Sequence, residues 1–255
     1  MSISAMKNSI ILFFAILLLV SCKNKKQNLV KIEAKQLPIT ENISPKKEIE
    51  DFVKPFKEKV DGEMNTVLSY TPKNLERTDG KLESTLGNLL ADLCFKKANP
   101  VFNARTGKNI DFAMFNYGGI RAGISKGSIT YNNAFKLMPF ENYLVVVELT
   151  SEKLNELIQY LVAKNKAHPL SKNVSLTISK KGYIFKINNN ALKSGRTYYV
   201  LTSDYLQKGG DNMNFFKNPV NLYQTDYKMR NAIIDYFKET DTIKVELDGR
   251  FKREN

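Results

Sequence analysis

The sequence predicts one α/β (α+β) domain with mixed sheets, spanning roughly 200 residues. Two observations carry this. Segments with apolar residues at helical spacing alternate with short runs that are β-branched or alternate in polarity, as in domains where helices pack on sheets. No internal repeat marks a solenoid or a propeller.

The first 21 residues stand outside that domain. Lys7 gives a small positive region, and Ile10 to Val20 is an unbroken apolar run. At about 11 residues it falls short of the roughly 20 that span a bilayer, and it reads as the centre of a signal peptide. Leu19-Val20-Ser21-Cys22 resembles the lipobox of bacterial lipoproteins. That resemblance implies cleavage before Cys22, lipidation of its thiol and membrane anchoring at the cell envelope, periplasmic or surface-facing. The alternative is an uncleaved anchor with an incidental cysteine. Residues 22–45 are polar and lysine-rich, as a tether would be, so the domain is expected over 46–255.

Within the domain, Ile49, Phe52, Val53, Phe56 and Val60 have helical spacing, interrupted by Pro55. Val67–Tyr70 is a strand candidate, and Thr85 precedes an amphipathic helix over 86–98. Ile110–Phe115 reads as a buried strand. Gly127–Thr130 leads into a short helix over 131–137, which Pro139 ends. Tyr143–Leu149 is a strand, after which Ser151 caps a helix through Ala163. Val174–Ile178 and Tyr183–Ile187 pair around Lys181-Gly182. Tyr198–Thr202 is a further strand, a helix spans 226–237, and Ile243–Val245 is the last element.

The chain carries 39 Lys and Arg against 26 Asp and Glu, a formal charge of +13. The lysines are spread along the tether and the helix exteriors, with no zinc-finger spacing and no basic recognition helix. No specific nucleic-acid partner is expected, but some attraction for phosphate-bearing ligands or an anionic membrane is. Of two cysteines, Cys94 falls in a helical apolar pattern and reads as an inert core thiol. The one histidine, His168, precedes a proline in a loop and is expected to be solvated or locally hydrogen-bonded. No catalytic residue and no metal ligand is assigned.

Chemistry concentrates in two glycine pairs. Asn116-Tyr117-Gly118-Gly119-Ile120-Arg121 sets an amide and a guanidinium on a sharp turn, and Gly209-Gly210-Asp211 sets a carboxylate on another. Glycine pairs let a backbone turn and approach a ligand closely, and binding groups favour such loops. The bland alternatives are an Arg121–Asp211 ion pair, Asn116 as a turn cap and Phe140 as a core residue.

These segments resemble, in order, the C-terminal domain of the 5′-nucleotidase family. Leu86-Gly87-Asn88-Leu89 through Ala91-Asp92, Asn116 to Arg121, Gly127 to Thr130, Pro139-Phe140, Asp204-Tyr205-Leu206 and Gly209-Gly210-Asp211 match its motifs across roughly residues 48–250. The resemblance implies a four-layer α/β/β/α fold that holds the nucleoside part of a substrate. Arg121 would contact phosphate or ribose oxygens, Asp211 the ribose diol and Asn116 a base edge. Phe140 and Tyr205 would sandwich the base, between loops shaped by Gly118, Gly119, Gly209 and Gly210. Family hydrolysis belongs to a separate two-metal metallophosphatase domain, so divalent metals are expected only on a partner chain. Glu141 departs from the family glycine and would put a negative charge near a phosphate. The expected role is nucleoside or nucleotide recognition for a hydrolase; a stand-alone nucleoside-binding lipoprotein is the alternative.

Overall fold

A computed structural model describes residues 28–254; the leader and Cys22 lie outside the described residues. The chain divides into two units, Met1–Glu50 and Asp51–Asn255. In the first, residues 28–46 are exposed and form neither helix nor strand. Helix α1 (Lys47–Met64) continues through Pro55, which was expected to interrupt it, and buries none of its residues.

In the second unit, β1 (Val67–Thr71) pairs antiparallel with β3 (Gly127–Thr130). Between them runs α2 (Thr85–Thr106), whose N-cap Ser84 accepts a hydrogen bond from the Gly87 N–H and whose end is set by Gly107 at φ 69°. It is longer than expected because its buried stripe continues past Ala98 to Phe102. The central sheet has the order β2-β8-β4-β9. β2 is only Phe112–Ala113, yet its surroundings remain extended: the Asp111 and Met114 N–H groups donate to Tyr199 and Leu201 carbonyls. Helix α3 (Tyr131–Leu137) precedes β4 (Tyr143–Thr150), and α4 (Ser151–Lys164) is capped by Thr150 rather than Ser151. The second sheet, order β10-β5-β6-β7, contains β5 (Val174–Ser179), β6 (Gly182–Ile187) and β7 (Asn190–Ala191). β8 (Thr197–Ser203) leads to the short α5 (Asp204–Gln207).

The C-terminal part departs most from expectation. Residues 221–228 form β9 (Asn221–Lys228), an edge strand on β4, and α6 covers Met229–Lys238 rather than starting at Asp226. Asp226 sits at φ 57° within the register shift opposite Leu144 and Val145, where Thr225 and Asp226 are the two extra residues of a bulge. Ile243–Val245 is not a strand; it is held through the Ile243 N–H on the Tyr70 carbonyl. β10 (Phe251–Arg253) instead pairs parallel with β5.

Two cores flank the central sheet. Leu144, Val146 and Leu201 point toward α2 and α6, against Leu90, Leu93, Ile233 and Phe237. Val147, Leu149 and Val200 face the other way, toward α4 (Leu154, Leu157, Ile158) and the second sheet (Leu176, Ile178, Phe185). Each such side chain contributes about 1.5–3 kcal/mol on burial. Helices and two mixed sheets thus form the expected α/β architecture.

Candidate functional site

β2 and β8 are parallel neighbours, Phe112 opposite Val200 and Ala113 opposite Leu201. Their following loops therefore leave the sheet at the same end, which brings the two glycine pairs together. β4 runs antiparallel, with Leu144 opposite Ser203, so the segment entering it, 139–142, arrives at that end too. The three segments border a cleft of about 260 Å³ lined by Asn116, Gly118, Gly119, Arg121, Phe140, Asn142, Tyr205 and Asp211. Gly209 and Gly210 are not in its lining; they shape the turn that presents Asp211.

Asp211 is the fixed point. The Asn116 Nδ2–H donates to its Oδ2 (2.7 Å) and the Tyr205 hydroxyl to its Oδ1 (3.0 Å), while the Tyr160 hydroxyl donates to its backbone carbonyl (3.0 Å). Two carboxylate oxygens keep acceptor capacity after two such bonds. Accepting from Tyr205 also raises that phenol's pKa above its ordinary value. Two glycines make this geometry possible. A Cβ on Gly210 would lie 2.4 Å from Tyr205 Cε1, and one on Gly119 would lie 2.7 Å from Asn116 Oδ1.

Arg121 donates through Nη1 to the Gly118 carbonyl (3.3 Å), and its Cζ lies 5.8 Å from the Phe140 ring centroid. No ion pair joins it to Asp211 among the described residues; the carboxylate's hydrogen bonds come from neutral donors. Phe140 is 42% exposed and Tyr205 45%, so neither ring is a core residue. Asn116 provides no side-chain cap to the turn it precedes and instead orients Asp211. Glu141 does not line the cleft: its carboxylate pairs with Lys228 and Arg230.

Asn142 was not singled out from sequence. The signal was there, because Asn142 closes the Pro139-Phe140-Glu141-Asn142 segment that resembles the family's Pro-Phe-Gly-Asn. His168 also differs from a solvated loop residue: it is 5% exposed, and its Nδ1 accepts from the Tyr117 N–H (3.2 Å). That bond places the neutral ring's proton on Nε2, which has no partner among the described residues. Burial holds its pKa down at about 4. Cys94 is fully buried, which pushes its thiol pKa far above the ordinary range. Among the described residues no group of three His, Cys, Asp or Glu side chains is placed to hold a metal, and no helix is long and apolar enough to cross a membrane.

Comparison with known proteins adds a family match. The family model described as "5′-nucleotidase, C-terminal domain" matches residues 62–218. The trifunctional nucleotide phosphoesterase protein YfkN of Bacillus subtilis is 27% identical, over 85% of this chain and 16% of its own length. Protein UshA of Escherichia coli is 26% identical, over 82% of this chain and 37% of its own. A crystal structure of the 5′-nucleotidase precursor from Thermus thermophilus shares the fold with a TM-score of 0.67 at 23% identity, covering 81% of this chain and 43% of that one. The chain thus spans less than half the length of these relatives.

Proposed function

This chain belongs to the 5′-nucleotidase C-terminal domain family, and from that premise we propose that it recognises the nucleoside part of a nucleotide for a phosphoester hydrolase. One observation carries the reading: an amide, a guanidinium, two half-exposed rings and a carboxylate, from three separate segments, border a single cleft. Phe140 and Tyr205 offer faces on which a base stacks, a contact that contributes about 1–3 kcal/mol. Asp211, an acceptor only, suits the two hydroxyls of a ribose. Arg121 keeps part of its planar fork free for phosphate or ribose oxygens. Asn116 holds Asp211 in place, and Asn142 supplies the amide with donor and acceptor for a base edge.

The two-metal centre that the resemblance attaches to hydrolysis has no fitting donor set among the described residues. In this reading this chain's residues bind and orient the nucleoside part, and the divalent metals that would supply the hydrolytic chemistry would be held by a separate metallophosphatase chain. Lipidation at Cys22 would hold the protein at the envelope. The test has two arms. Calorimetric titration with adenosine should give saturable binding that Asp211→Ala weakens at least tenfold. Phosphate release from a nucleotide by a candidate metallophosphatase should rise when this chain is added. Adenosine affinity indifferent to Asp211 rules out the cleft; turnover indifferent to the added chain leaves a free-standing nucleoside binder.

A further inference from the structure

Asp211 presents its carboxylate from a strained turn. Gly209, Asp211 and Asn212 sit at φ 89°, 52° and 61°. Glycine adopts that region freely, whereas aspartate and asparagine enter it at a cost. Two such residues in succession persist where the surroundings fix them. Inside the turn the Met213 N–H returns to the Gly210 carbonyl (3.0 Å). Asn116 and Tyr205 hold the two carboxylate oxygens, and so orient the side chain.

The backbone is held from elsewhere. Tyr160, on α4, donates its hydroxyl to the Asp211 carbonyl at 3.0 Å. Tyr160 does not line the cleft; it borders a neighbouring hollow of about 310 Å³ that shares Gly118 and Asp211 with it. Leu157 and Leu161, on the same helix, are buried in the second core, so the hydroxyl projects from a packed helix rather than from a loop. Burial and the nearby Asp211 charge raise the phenol's pKa above its ordinary value, and the hydroxyl therefore stays a donor. Its ring meets those of Phe215 and His168, with centroids 5.4 and 5.5 Å away. His168 in turn accepts the Tyr117 N–H (3.2 Å), and Tyr117 belongs to the first glycine turn. One side chain thus supports both turns of the cleft, the second directly and the first through a buried imidazole.

We propose that Tyr160 is a positioning residue for ribose recognition: it lies outside the cleft and acts through Asp211, holding the carboxylate where it meets the sugar diol. The inference rests on the cleft reading given above and deepens it. Discrimination between ribose and sugars without the diol then depends on a residue that no nucleoside touches.

Calorimetric titration of the full chain with adenosine and with 2′,3′-dideoxyadenosine separates positioning from a general structural role. Tyr160→Phe keeps the ring against His168 and Phe215 and removes only the hydroxyl. Adenosine should bind about two- to tenfold more weakly, the range for one lost hydrogen bond. Dideoxyadenosine, which offers Asp211 no hydroxyl, should bind both proteins equally. A double-mutant cycle gives a second reading, and decides the matter where dideoxyadenosine binds too weakly to titrate. With the carboxylate removed by Asp211→Ala, adding Tyr160→Phe should cost adenosine nothing further, because residues acting as one unit are not additive. An equal loss for both nucleosides, or the same loss in the Asp211→Ala background, makes Tyr160 a structural residue and overturns the proposal. Adenosine affinity unchanged by Tyr160→Phe overturns it too. In these cases adenosine binding that still depends on Asp211 leaves the cleft reading standing. Adenosine binding indifferent to Asp211 removes the cleft reading and this inference with it.

Discussion

Tyr205 has two separable parts, a ring that borders the cleft and a hydroxyl that holds Asp211. Tyr205→Phe keeps the ring and removes one of two donors, so adenosine affinity should fall about two- to tenfold. Tyr205→Leu removes the stacking face as well and should lower affinity further, by about 1–3 kcal/mol; equal affinities for the two variants in calorimetry would remove the ring from the site. His168 gives a prediction on stability. Its folded pKa, about 4, lies below the ordinary 6.5, and the unfolded chain therefore takes up its proton first as pH falls. The contribution is complete above pH 6.5 and is lost as pH drops toward 4, to a total of at most about 3 kcal/mol. Asp211 opposes this shift; Lys164 and Lys166 add to it. His168→Asn keeps an acceptor for Tyr117 and cannot titrate, so its urea midpoint should depend less on pH between 7 and 4.5. Identical pH profiles for the two proteins would show that His168 contributes nothing. Asn116, Arg121, Phe140 and Asp211 were legible because each stands beside a glycine pair or a proline that marks it; Tyr205 was read only through the resemblance, and Asn142 was not singled out. The burial of His168 was not legible, because what covers a loop residue comes from distant segments such as α4 (Tyr160) and the Tyr117 turn.

Three acceptors serve the free N–H groups at the start of α2: Asp79 for Thr85, the Glu76 carbonyl for Leu86 and the Ser84 hydroxyl for Gly87. Ser84 is 1% exposed and accepts the Gly87 N–H at 3.0 Å, so Ser84→Ala leaves a buried donor without its partner. The cost should be about 0.5–2 kcal/mol, seen as a lower urea midpoint with an unchanged slope. An unchanged midpoint would mean that another acceptor serves that N–H. α4 was readable from sequence because one repeating face of it is buried, and β4 because Leu144 to Val147 is a continuous apolar run, buried on both faces between the two cores. β9 was not. Its burial pattern leaves one residue of eight, Thr225, fully inside, and a polar edge strand with a bulge has no alternation to read. The same reasoning explains β10, three residues long, whose partner β5 lies far back in the chain. Ile243–Val245 had the composition of a strand but no adjacent edge beyond the bridge between Tyr70 and Thr242.

For the whole molecule, the question is which residues the folding unit needs. All the sheets and both cores come from residues after Met64, and α1 buries none of its own residues. Ile49, Phe52 and Phe56 are each at least 60% exposed. Residues that lose little accessible surface on folding add little to either the stability or the denaturant slope, since the slope scales with the surface exposed on unfolding. A chain beginning near residue 61 should therefore unfold with the urea midpoint and slope of the full chain, and should bind adenosine with the same affinity, because no cleft residue precedes Asn116. Two measurements give this content. A slope that falls on truncation means that α1 packs against the domain in solution, and a midpoint that falls with it means that this packing stabilises the fold. An unchanged pair assigns α1 to the exterior, where its apolar stripe plays no part in holding the central sheet together.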